Sequence, residues 1–260
     1  MTDRNRGERN IISAGALHLL KRKFQKRFLA EQCAELTNCL ADALDATLKV
    51  APVREGKIYL HDRTAEAQVE AGEAKWERAL FREYKGERSD AYAPWKRLLT
   101  YQVSLQNHRK NDADWGEIDL LGVSNDNLPV IVELKAPGFN ESPAQMLVQA
   151  TAYAIALQKA WPKCLRAEWT KNVGVDEGAL PEELSTCEIV CAAPIEYWEN
   201  WTGDTPRARS VKPGVWAAIG DLRNALERKG YPSTFVRLKH QGSPSAPSSI
   251  TLSEEQLPRG

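Results

Sequence analysis

The sequence predicts an α/β domain over roughly residues 57 to 240, preceded by a helical extension over residues 1 to 56. Three observations carry that expectation. Apolar residues recur at three- and four-residue spacing in four separate stretches. Short runs rich in Val, Ile and Leu, bounded by turn residues, fall between them. From residue 64 onward the two kinds of pattern alternate, which is the signature of helices covering a sheet.

From Ser13 to about Lys49, the positions Leu17, Leu20, Phe24, Phe28, Leu29, Cys33, Leu36, Leu40 and Leu44 form one apolar stripe. They predict a long amphipathic helix or a helical pair. The stripe is available for dimerisation or for docking a partner. Its front end carries Arg4, Arg6, Arg9, Lys21, Arg22, Lys23, Lys26 and Arg27 against only Asp3 and Glu8. That is either a solvated face or a contact to phosphates. "KIYLHD" (57–62) reads as a short strand, and a helix follows from Thr64, a fitting N-cap, to Tyr84. After the break at Gly86 to Asp90 come a short helix around Trp95 and a strand near 100–107. Strands at 116–124 and 129–135 flank the turn "SNDN". Ser142 and Pro143 open the next helix, 143–159, as N-cap and first helical residue. A buried strand at 186–193, a helix ending at Gly230 and the strand "TFVRLKH" complete the domain. The Ser- and Pro-rich residues 241 to 260 read as a flexible tail.

Composition bounds the function. With 42% hydrophobic and 27% charged residues in 260, the chain has enough apolar material for a sizeable core. Its formal net charge is zero, so any polyanion must be held by local patches rather than by a whole-molecule field. The five cysteines form no CxxC pair and read as free thiols, Cys187 and Cys191 as packing residues. The Trp residues read as core rather than as base-stacking platforms. "MTDRNRGERN" lacks an apolar signal region, and no apolar run reaches the roughly 20 residues of a membrane span. The expectation is a cytoplasmic protein without a membrane partner.

The strand pair 117–135 carries Asp119, Glu133 and Lys135 among Leu, Ile and Val. Charge on buried strands is costly unless it is paired or binds a metal. The chain has five acid-x-Lys tripeptides, but only Glu133-Leu134-Lys135 ends a continuous apolar run, "LPVIVELKA". Residues two apart on a strand share a face, so Glu133 and Lys135 project together while Val132 and Leu134 pack behind. Folding at "SNDN" brings Asp119 beside Glu133. Two adjacent carboxylates suit Mg²⁺, with Mn²⁺ as a substitute, and a nearby lysine positions or deprotonates water or offsets developing charge. That set is chemically complete for phosphodiester hydrolysis.

"GEIDLLG…PVIVELKAPG" resembles the signature of the PD-(D/E)xK nuclease superfamily, with Asp119 as the motif aspartate and Glu133-Leu134-Lys135 as the (D/E)xK. Ile118 stands where that signature often has proline. "QATAY" resembles the QxxxY motif of the RecB-like and NucS-like branches, on Gln149 and Tyr153, which share a helix face; Gln145 extends it by one turn. "ERALFREYKG" resembles the upstream segment that supplies a further acid, which points to Glu77, with Glu73 and Glu83 as rivals. The resemblance covers about residues 64 to 193. It implies a restriction-endonuclease-like core: a small mixed sheet flanked by helices, in the order helix, three antiparallel strands, helix, strand. It also implies a Mg²⁺-dependent deoxyribonuclease leaving 5′-phosphate and 3′-hydroxyl ends. His108, Arg109 and Lys110, with Lys21, Arg22 and Lys23, are the candidates for gripping the nucleic-acid backbone. A catalytically silent module of the same fold and a purely structural ion-paired hairpin are the competing readings.

Overall fold

The structure, a computed structural model, describes residues 15–20, 23–24, 29–61, 72–86, 93–106, 115–202 and 214–253. Its centre is a six-stranded mixed sheet in sequential order: β1 (Arg97–Ser104), β2 (Glu117–Val123), β3 (Pro129–Leu134), β4 (Glu188–Pro194), β5 (Ser233–Ser243) and β6 (Ala246–Leu252). The pairs β1–β2, β2–β3 and β5–β6 are antiparallel, whereas β3–β4 and β4–β5 are parallel. The α/β expectation holds. Every residue of β3 is buried, as a strand covered on both faces must be.

Helix α1 (Leu17–Leu20), α2 (Leu29–Asn38) and α3 (Leu40–Val50) precede the sheet, and α4 (Glu73–Tyr84) lies against β1 and β6. Between β3 and β4 runs α5 (Pro143–Ala160), continued by a π-turn (Trp161–Leu165) and α6 (Arg166–Val173). Next come α7 (Ile195–Thr202) and α8 (Val215–Glu227). α5 is apolar around nearly its whole circumference because it is sandwiched between β3 and β4 on one side and α1 and α3 on the other. Ser142 caps it in a reciprocal box: its hydroxyl accepts from the Gln145 N–H, and its own N–H donates to Gln145 Oε1. Gln145 is therefore committed to the cap and does not extend the Gln149 and Tyr153 stripe.

Four further expectations are corrected. The N-terminal pattern is broken into separate helices, and its stripe is covered within the chain: Leu17, Leu20, Phe24, Leu29, Cys33, Leu36, Leu40 and Leu44 join the same apolar cluster as α5. Leu19 on α1 and Leu48 and Val50 on α3 remain exposed. Residues 57–61 form no strand. The Tyr59 and Leu60 N–H groups donate instead to the Glu168 carboxylate, at 3.0 and 2.5 Å. No helix forms at Trp95, which is buried in the bend leading into β1. The tail is structured through residue 252: β6 pairs with β5, Ile250 is buried, Trp76 donates to the Pro244 carbonyl and the Leu252 N–H donates to Tyr84. Pro247 is tolerated because β6 is an edge strand bulged at that point. Thr64 and Phe28 lie outside the described residues. No helix among the described residues is long and apolar enough to cross a membrane.

Glu168 alone satisfies two backbone donors of the 57–61 segment, so Glu168→Ala is expected to lower the unfolding free energy by about 2–3 kcal/mol in urea titrations. A loss under about 0.5 kcal/mol, the scale of an ordinary surface substitution, would show that the segment is held by packing alone.

Candidate active site

The β2–β3 ladder pairs Leu120 with Val132 and Gly122 with Val130, so one step further toward the open end Asp119 and Glu133 face each other. Leu134 then donates its N–H to Asp119 Oδ2 at 2.7 Å. Val132 and Leu134 point to the side of α4, in the cluster containing Trp76, whereas Ile131 belongs to the cluster of α5. Strand alternation thus sends Glu133 and Lys135 toward the α5 side, as the spacing predicts. The Lys135 N–H donates to the Ala192 carbonyl at 3.0 Å, which continues the β3–β4 ladder one residue past the strand.

Lys135 is the hub. Its Nζ lies 2.8 Å from Glu133 Oε1, 3.3 Å from Glu141 Oε2 and 3.5 Å from Glu73 Oε1. Glu133 is fully buried and Lys135 is 3% exposed. The carboxylates that ring Lys135, led by Glu133, hold its ammonium well above the usual lysine range despite burial. Burial, and then Asp119, raise Glu133 well above the carboxylate range.

Glu77 and Glu73 project from α4, four residues apart and so on one face. Burial first, then the charge of Asp119, pushes Glu77 up to about 8. Burial, opposed by Lys135 and reinforced by Asp119 and Glu141, pushes Glu73 to about 7. Of the three upstream candidates, Glu77 and Glu73 both belong to the cluster, and Glu83 sits at the far end of the helix. Glu141 is a member the sequence does not signal; its carbonyl is pinned by the Tyr197 hydroxyl at 2.8 Å.

On α5 the Gln149 amide donates to the Tyr153 hydroxyl at 2.9 Å. Burial, together with the charges of Glu133 and Asp119, raises the Tyr153 phenol, which keeps its proton. The same hydroxyl lies against Gly116, where an added Cβ would stand 3.0 Å away. With φ +75 as well, Gly116 is the residue that lets the start of β2 approach Tyr153.

Lys23, half-buried, makes no hydrogen bond or ion pair to this cluster among the described residues; its carbonyl accepts from Gln32. Lys21, Arg22, His108, Arg109 and Lys110 lie outside the described residues. Trp95, Trp161, Trp169, Trp198 and Trp201 are buried, as core aromatics should be, and Trp216 packs partly buried against them.

The chain matches no family model, no curated protein and no solved structure. The chemistry is therefore read from the cluster itself. Among the described residues Glu133, Glu141 and Glu73 contact a single lysine, and Asp119 and Glu77 are electrostatically linked to the same acids, so acid groups outnumber cations there. Glu77 Oε2 and Glu133 Oε2 are buried and accept no hydrogen bond among the described residues. A buried acid oxygen without a donor is the type of ligand that a hard divalent cation takes. No three acid, imidazole or thiol groups among the described residues form a ready-made metal cage. The partnered oxygens are turned to protein donors instead: Glu133 Oε1 to Lys135, Asp119 Oδ2 to Leu134. Mg²⁺ suits such a set, since it commonly takes one or two carboxylates and keeps several waters.

Because Glu77 and Glu73 titrate near 8 and 7 instead of 4.5, the metal-free folded chain holds more protons than the unfolded chain across that window. Its stability therefore falls as pH rises from about 5 to 8.5. Thermal melts in EDTA should show a declining Tm over that range, flattened by Glu77→Gln. Saturating Mg²⁺ should raise Tm more at pH 8.5 than at pH 5.5. A Tm that rises toward pH 8.5 in EDTA would contradict the charge surplus.

Proposed function

We propose that the protein is a metal-dependent nuclease that hydrolyses phosphodiester bonds, with DNA as its substrate and Mg²⁺, or Mn²⁺ in its place, as cofactor. The observation that carries this reading is the meeting of Asp119, Glu133 and Lys135 at the end of the β2–β3 hairpin, in a cluster that has more acid groups than cations among the described residues. The element order α4, β1–β2–β3, α5, β4 supports a restriction-endonuclease-like core.

In this mechanism Asp119 and Glu133, with Glu77, would hold the cation. When bound, it supplies Lewis acidity toward the phosphoryl oxygens. Lys135, whose ammonium form is favoured by the acids around it, orients the attacking water and offsets charge gathering on the phosphoryl group. Gln149 fixes the Tyr153 hydroxyl, which is held beside the Glu133 and Asp119 charges. Water adds to phosphorus as the bond to the 3′ oxygen breaks, and the proton lost by the water is returned through solvent to the leaving 3′ oxygen, giving 5′-phosphate and 3′-hydroxyl ends.

A second reading is a module of this fold that binds nucleic acid or a protein without cutting. What favours it is that Lys135 is already engaged by three carboxylates and no three-ligand cage is formed among the described residues. Labelled duplex, flap and single-stranded DNA incubated with Mg²⁺, Mn²⁺ or EDTA separates the two. The nuclease reading expects cleavage that requires metal and falls about 100-fold or more in Asp119→Asn and Glu133→Gln. Metal-independent gel shifts without cleavage of any substrate would replace it with the second reading.

A further inference from the structure

Among the described residues only Gln102 and Asn127 combine a side chain with a left-handed backbone. Asn127 lies in the turn between β2 and β3, where asparagine tolerates that conformation. Gln102, at φ 51, lies in the middle of β1, where nothing turns. Its place in the ladder explains what it does. Tyr101 pairs with Leu120 and Val103 with Ile118, so Gln102 faces Asp119 between them. Tyr101 and Leu120 pack on the α4 side, whereas Val103 and Ile118 pack with the cluster of α5. Strand alternation alone would keep the two pairs on the same face. The left-handed residue thus marks the point where both strands change faces, beside the motif aspartate.

From that point the Gln102 amide donates to the Glu77 carboxylate. A strand needing only a left-handed residue here would be served best by Gly, or by Asn. Glutamine offers neither freedom; what it offers is reach. We infer that Gln102 is a positioning residue that holds the Glu77 carboxylate toward Asp119 and thereby sets the affinity of the site for its divalent cation. This rests on the nuclease reading, and it adds a residue outside every motif that suggested that reading. Gln102 acts through Glu77, as an outer partner that aims a ligand.

The test is Gln102→Gly, which removes the amide while making the left-handed backbone easier. Mn²⁺ binding by calorimetry on the purified full chain, thermal melts and DNA cleavage are measured on wild type and variant. The expected result is a Tm equal to or above wild type, Mn²⁺ affinity weaker by about 10- to 100-fold and cleavage reduced in step at low Mn²⁺. Gln102→Asn, which tolerates the backbone but is one methylene short of Glu77, should weaken Mn²⁺ binding likewise. Wild-type Mn²⁺ affinity in the glycine variant would overturn the inference and leave the nuclease standing. Unfolding of both variants would assign Gln102 a structural role and overturn it too. A wild-type protein that neither binds Mn²⁺ nor cuts DNA would overturn the nuclease reading and this inference together.

Discussion

Everything at the open end of the sheet depends on the buried pair of Lys135 and Glu133, 2.8 Å apart on one strand. Taking two charges out of water costs several kcal/mol per ion, and their attraction repays this only with good geometry and further polar partners. Lys135 has them, in Glu73 and Glu141. Glu133 does not: one of its oxygens is left without a partner among the described residues. As a device for stability alone the arrangement is poor, because the acids added around the lysine repel one another. That imbalance is the physical reason to look for a cation.

The rest of the fold can be understood as support for this pair. β3 is central and wholly buried, so Glu133 and Lys135 leave it at a fixed height. α5 is held down on both sides and capped at Ser142, which places Tyr153 within the field of Glu133. Tyr197 on α7 pins Glu141 in the loop between β3 and α5. α4 brings Glu73 and Glu77 in from the other side of the sheet, and Trp76, on the same turn, ties it to the β5–β6 hairpin. The site therefore collects side chains from four separate elements onto one strand end, a point where α/β sheets commonly bind ligands.

Much of this was legible in the sequence. The apolar runs in "EIDLLGV" and "PVIVEL", bounded by turn residues, predict the two strands, and from the register of their pairing Asp119 and Glu133 meet. Ser142 and Pro143 mark the start of α5 by their local chemistry. The failures share a cause: distant partners. Residues 57–61 look strand-like, but their N–H groups go to Glu168, more than a hundred residues away. The tail reads as loose from its Ser and Pro content, yet an available edge on β5 and the aromatic face of α4 order it through residue 252. Glu141 is one glutamate among many until a loop folds it onto Lys135, and no pattern of residue types signals the left-handed backbone at Gln102.

The central claim is that the acid cluster binds a divalent cation, and proton release tests it most directly. Calorimetric titration of Mg²⁺ or Mn²⁺ into the protein at pH 7.5, repeated in buffers of different ionisation enthalpy, counts the protons expelled on binding. With Glu77 near 8 and Glu73 near 7, part of the cluster is protonated at that pH, so binding should expel a measurable fraction of a proton, less in Glu77→Gln. Saturable binding with no proton released, or no binding at all, would contradict the account.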